Sequence, residues 1–116
     1  ALFMKMIEAI IQPARLEAVK DALCEVGVVR LTVSDVEGLG GKEKRTETFR
    51  GQEYTVDTVR RVKLEIAVNE SFVEPTVESI VRAGRLGEED GDGKVFVLPL
   101  EDAVRIRTGE RGPEAI

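Results

Sequence analysis

Two short stretches hold the residues best suited to chemistry. Gly91-Asp92-Gly93-Lys94 leads into an apolar run; its two glycines leave backbone N–H groups able to approach an anion, and Lys94 adds a point charge. Arg105 and Arg107 stand two apart within Val104–Thr108, so on an extended segment they face the same way and can fork onto phosphate or carboxylate oxygens. On residue types alone this is either an anion site or a solvated turn beside surface arginines. It is not a Walker A loop, because Lys94 is followed by Val95 rather than Ser or Thr. Tyr54, the sole tyrosine, sits in a charged, glycine-rich stretch, and its phenol is a nucleophile only when another enzyme activates it. With no histidine and one cysteine, Ser–His and Cys–His catalysis are excluded and structural zinc is a poor prospect. No catalytic residue and no metal ligand is assigned. Cys24 is expected to be a reduced packing residue.

The chain that must position these groups has 116 residues, a length suited to one domain with a real core. A hydrophobic fraction of 42% fits a globular protein and not a disordered one. With 17 Lys+Arg against 22 Asp+Glu the net charge is −5, which argues against a nucleic-acid partner. No apolar run reaches membrane-spanning length, so no membrane insertion is expected. The start lacks a signal-peptide layout, and the patterning begins at Met4, expected at or near the natural start. A lone cysteine fits a reducing compartment, so the expected location is cytoplasmic.

In Met4–Gln12, Ile7, Ala9 and Ile11 share a face, as in a strand. Pro13 suits the first turn of a helix carrying Leu16, Val19, Leu23 and Val26 at helical spacing, and Gly27 is placed to stop it. Val28–Val36 reads as a second strand with Val29, Leu31 and Val33 in phase. From Glu37 to Thr58 the pattern breaks into a long, charged, glycine-rich loop of the kind that is usually functional. Val59–Val68 returns to strand periodicity through Val62, Leu64, Ile66 and Val68. Ser71-x-x-Glu74 resembles a capping box ahead of a helix with Val73, Val77, Ile80 and Val81 in its stripe. A second glycine-rich loop covers 84–93, then comes a strand over Val95–Leu100 and a short extended piece at Val104–Thr108. This order predicts an α+β, ferredoxin-like βαββαβ sandwich with a long connection between its middle strands.

Four segments in this order, MKMIEAIIQP, TFRGQEYTVD, GDGKVFV and RIRTGERG, resemble the PII nitrogen-regulatory signal-transduction family across almost the whole chain, with one extra residue near Glu88–Asp90. The resemblance implies one PII-like domain over 1–116, a T-loop at 37–58 and a C-terminal strand and tail at 104–116, assembled as a homotrimer. It further implies ATP or ADP bound between adjacent subunits, lined by Thr32, Gly40, Glu65, Gly91, Asp92, Gly93, Lys94, Arg105 and Arg107. On pattern alone Glu65 is a solvent-facing strand residue and Thr32 a strand filler, so their nucleotide roles rest on the resemblance. The T-loop would dock into a target, an ammonium transporter or a nitrogen-metabolism enzyme. Arg50 matches the arginine that reaches into an ammonium channel, and Tyr54 the tyrosine that proteobacterial relatives modify, which would make a uridylyltransferase a further partner.

One departure matters. PII proteins bind 2-oxoglutarate through a Mg²⁺ ion shared with ATP and ligated by a glutamine at the T-loop base, where this chain has Lys42. An ammonium has no lone pair for a cation and repels it. Arg61 stands where the family uses a lysine for the ligand's far carboxylate, and it can grip a carboxylate with two hydrogen bonds. Nucleotide binding is therefore expected to persist while 2-oxoglutarate binding weakens or changes geometry, with Lys42 as an alternative partner for the anion. Two rivals stand beside this regulator: a slow ATP-hydrolysing enzyme using Asp92 or Glu65 to orient water, and a PII-like regulator of a different transporter that does not sense 2-oxoglutarate.

Overall fold

The structure, a computed structural model, describes residues 3–39, 45–56, 58–87 and 91–116. Its elements run β1 (Met4–Ile11), α1 (Leu16–Glu25), β2 (Thr32–Gly38), β3 (Arg45–Phe49), β4 (Gln52–Val56), β5 (Val59–Asn69), α2 (Val73–Gly84) and β6 (Lys94–Leu100). Four strands form one antiparallel sheet in the order β2-β5-β1-β6, and β3 and β4 pair separately as a hairpin. This is the expected ferredoxin-like sandwich.

The period-two faces of the two central strands build the core. Ile7, Ala9 and Ile11 of β1 lie directly opposite Ile66, Leu64 and Val62 of β5, and all six are buried. Both helices pack on that face through Val19, Leu23 and Ile80, with Leu16, Val26, Val73 and Val77 half-buried around them. Burying such side chains contributes about 1.5–3 kcal/mol each, which makes this layer the main source of stability. The helix pair is also tied at its end, where the Arg15 Nε–H donates to the Ala83 carbonyl at 2.8 Å, a favourable cation at a helix C-terminus.

Several expectations change. The second strand starts at Thr32, not Val28: Val28 is buried in the connection, and Val29 is exposed. The capping box does not form, because the chain enters α2 through a 3₁₀ turn at Glu70–Phe72 and no side chain caps the helix. Val81 is exposed, whereas Thr76 and Ser79 are buried. Gly84 belongs to α2, so the second loop begins at Arg85. Cys24 is exposed and packs no core. The 37–58 stretch is not structureless: β2 runs on to Gly38, and Phe49 pairs with Gln52 across a two-residue turn in which Arg50 has φ 52° and Gly51 φ 77°. Two successive positive φ angles are the geometry that suits the twist of a tight hairpin. Finally, Val104–Thr108 is not a strand. Val104 makes an isolated bridge to Arg111, and residues 106–108 turn between them.

Candidate functional site

The glycine-rich turn is held by three separate devices. The Gln12 side-chain amide donates to the Gly91 carbonyl at 2.6 Å. Both Asp92 carboxylate oxygens accept backbone N–H groups, Oδ1 from Leu86 at 2.9 Å and Oδ2 from Gly87 at 3.1 Å. Gly93 adopts φ 98°, and any Cβ there would collide with the Ile10 carbonyl oxygen as β6 docks on β1. The turn is thus pinned from both sides, which preorganises Lys94 at the first position of β6, opposite Ile10 and exposed. Gly93 has a steric duty that explains it without any ligand, and Asp92 acts first as a loop brace. The cavity beside the turn, about 300 Å³, has an apolar floor including Ile11, Val77 and Ile80, with Arg85 and Lys94 among its lining residues.

Thr32 and Glu65 are direct register partners on β2 and β5, on the sheet face turned away from the helices. With Met6, Arg30 and Ala67 they line a cavity of about 530 Å³. On the same face Glu65 stands opposite Glu8, a like-charge pair that costs stability, and Lys63 Nζ lies 4.0 Å from the Glu8 carboxylate. An adjoining cavity of about 450 Å³ is lined by Arg30, Asn69 and Arg105.

The basic pair sits on a closed turn rather than along a strand. The Arg105 N–H donates to the Glu110 carbonyl at 2.9 Å and the Gly109 N–H to the Arg105 carbonyl at 2.7 Å. The period-two argument that aligned Arg105 with Arg107 therefore fails, because residues 106–108 reverse direction. Arg105 is half-buried, with its guanidinium 3.4 Å from the Glu114 carbonyl, and Arg107 is exposed. Asp102 and Arg111 close the neck of the turn. Hydrogen bonding from Arg111, helped by the Ala103 N–H, holds the Asp102 carboxyl below its ordinary value of 3.8.

The candidate residues thus fall into two groups. Lys94 begins β6 opposite Ile10, while Leu100 ends it opposite Met4 and, one strand further, Asn69. Asn69 lines the cavity that Arg105 enters. The glycine turn and the basic turn consequently lie at opposite ends of a seven-residue strand, about 20 Å apart at 3.3 Å per residue.

Of the remaining candidates, Gly40 and Lys42 lie outside the described residues. Arg61 is half-buried on β5 opposite Val36, and its guanidinium donates to the Arg60 carbonyl at 2.8 Å. Arg50 is exposed in the hairpin turn, and Tyr54 falls on β4 in register with Glu47. Sequence reasoning missed Gln12, Arg30, Asn69, Asp102 and Arg111. Of these only Asp102 and Arg111 left a signal, opposite charges flanking the basic segment. Among the described residues no group of three or more potential ligands could hold a metal, and no helix is long and apolar enough to cross a membrane.

Residues 4–110 match the family model described as nitrogen regulatory protein P-II. The nitrogen regulatory protein P-II of Azospirillum brasilense is 50% identical over 113 residues, covering 97% of this chain and all of the relative. Among solved structures, the GlnK–ATP complex of B. subtilis superimposes with a TM-score of 0.78 at 33% identity, covering 98% of this chain and 96% of that one. The citrate-bound PII of Arabidopsis thaliana does so with 0.80 at 39% identity, over 98% and 92%.

Proposed function

The chain belongs to the nitrogen regulatory protein P-II family, and we propose that it acts in that role as a binding module and not as an enzyme. ATP or ADP occupies a cleft between copies, with Gly91, Gly93 and Lys94 supplied by one chain and Arg105 and Arg107 by its neighbour. The observation that carries this reading is the separation of the two basic groups along β6. One chain cannot close both on a single ligand, but a second copy presenting its own far end can. A closed ring satisfies every copy equally, and a homotrimer is the arrangement the family resemblance implies. The edge strand β6 supports such an assembly, since Phe96, Val97 and Leu98 are all substantially exposed in one chain. The ATP complex of the B. subtilis relative supports the ligand class.

Thr32 and Glu65, register partners that share one cavity, line the same cleft; Gly40 keeps its nucleotide role by family position alone. Asp92 serves by bracing the turn, since both its oxygens are engaged with backbone N–H groups, which leaves it poorly placed to orient a hydrolytic water. The bound nucleotide biases the conformation of the 37–58 loop, with a coupling of about 1–3 kcal/mol. That loop, through Arg50 and the β3–β4 hairpin, engages a target such as an ammonium transporter or a nitrogen-metabolism enzyme; Tyr54 is the group a uridylyltransferase would modify. With Lys42 in place of a neutral metal ligand, the Mg²⁺-linked response to 2-oxoglutarate is weak or altered, and Arg61 remains as its carboxylate partner.

Calorimetric titration with ATP tests the assignment. Arg107→Ala should weaken binding by about tenfold or more, the scale of a lost charge-assisted hydrogen bond, while the oligomer measured by sedimentation stays intact. Unchanged affinity would remove Arg107 from the cleft.

A further inference from the structure

The turn that carries Arg105 and Arg107 is closed at its neck by one carboxylate. Asp102 Oδ2 accepts from Arg111 Nε at 2.8 Å and from Nη2 at 2.6 Å. Its other oxygen, Oδ1, accepts the N–H of Ala103 at 2.8 Å and of Gly112 at 3.1 Å. The Gly112 N–H also reaches the Ala103 carbonyl at 3.0 Å, and Val104 bridges to Arg111 just inside the neck. Asp102 therefore binds both sides of the neck at once, through backbone on each side and a guanidinium on the far side.

Neither partner is buried: the Arg111 side chain is 69% exposed and that of Asp102 36%. An exposed ion pair contributes little to global stability. Its leverage is local. Beyond the neck, the turn is held by the two backbone bonds of Arg105 and by contacts of Thr108 with Glu110 at 3.1 and 3.2 Å.

We propose that Asp102, clasped to Arg111, is a positioning residue that fixes the basic turn in the shape that presents Arg105 and Arg107 to the anionic part of a nucleotide. This inference rests on the nucleotide reading above and adds the device that preorganises the cationic half of the cleft. An unclasped turn samples other shapes, and affinity falls by the fraction of time the competent shape is lost.

The test is a double-mutant cycle on the assembled protein, read by calorimetric titration with ATP. Asp102→Ala should weaken ATP binding by about tenfold with the thermal midpoint nearly unchanged, in the range of ordinary site-to-site couplings. In a chain already carrying Arg105→Ala and Arg107→Ala, the same substitution should change residual binding by less than about twofold, because the groups it positions are gone. Hydrogen exchange at the Ala103, Arg105, Gly109 and Gly112 amides should speed up in Asp102→Ala. Equal losses in both backgrounds, or no loss in the first, would overturn the positioning role. Failure of the unsubstituted protein to bind ATP would instead sink the nucleotide reading, and this inference with it.

Discussion

Single residues here answer to two demands, and the sequence displays only one of them. Gly93 reads naturally as part of an anion cradle, yet the tighter constraint comes from the Ile10 carbonyl on a strand more than eighty positions away in the chain. No local pattern reveals that approach, because its cause is the register between β6 and β1. Gly93→Ala should therefore cost about 3 kcal/mol or more, a severe loss for one methyl group, since it adds left-handed strain to a backbone collision. Urea denaturation reads it directly, and a loss below 1 kcal/mol, small against the strain expected there, would mean that β6 shifts freely on β1. The same limit applies to Asp92, whose motif position suggests a ligand group while its geometry makes it a brace for Leu86 and Gly87.

Among the elements, legibility followed periodicity. β1 and β5 were readable because alternate positions carry Ile, Leu, Val and Ala against charged residues, and the buried faces are those the alternation named. β2 begins later than its composition implies: Val28, Val29 and Leu31 have strand composition, but only Thr32 onward has a partner in the sheet. Helix α2 buries Thr76 and Ser79 in place of Val81, since small side chains fit beneath it where the apolar count alone preferred valine. The hairpin inside the long loop has its signal in Arg50-Gly51 between the short β-prone runs RTETF and QEYTV, a signal masked by the glycines and charges around it. Gly51→Val should fray that hairpin, because a β-branched residue at φ 77° is strained. Amide exchange across Arg45–Val56 should rise by about tenfold or more, the size of a strain of 1–3 kcal/mol. The core sheet, which shares no ladder with the hairpin, should keep its exchange protection.

Taken whole, the molecule was readable as a fold and not as a site. The antiparallel order β2-β5-β1-β6 follows from the succession of elements, and no sequence pattern says that the basic segment closes into a turn; the strand expected over Val95–Leu100 does set Gly91–Lys94 and Arg105–Arg107 at its opposite ends. That placement has a consequence that can be read by mixing. Take one chain impaired by Lys94→Ala and another by Arg107→Ala, each weakened by about tenfold or more in ATP binding by itself. Co-assembled into a mixed ring of three, they must regenerate one sound junction wherever the intact basic turn of the first meets the intact glycine turn of the second. Two impaired proteins co-assembled at random in equal amounts would thus recover about a quarter of the parental high-affinity sites, one junction in three within each mixed ring, whereas a pocket contained within each chain would leave the blend as impaired as its components.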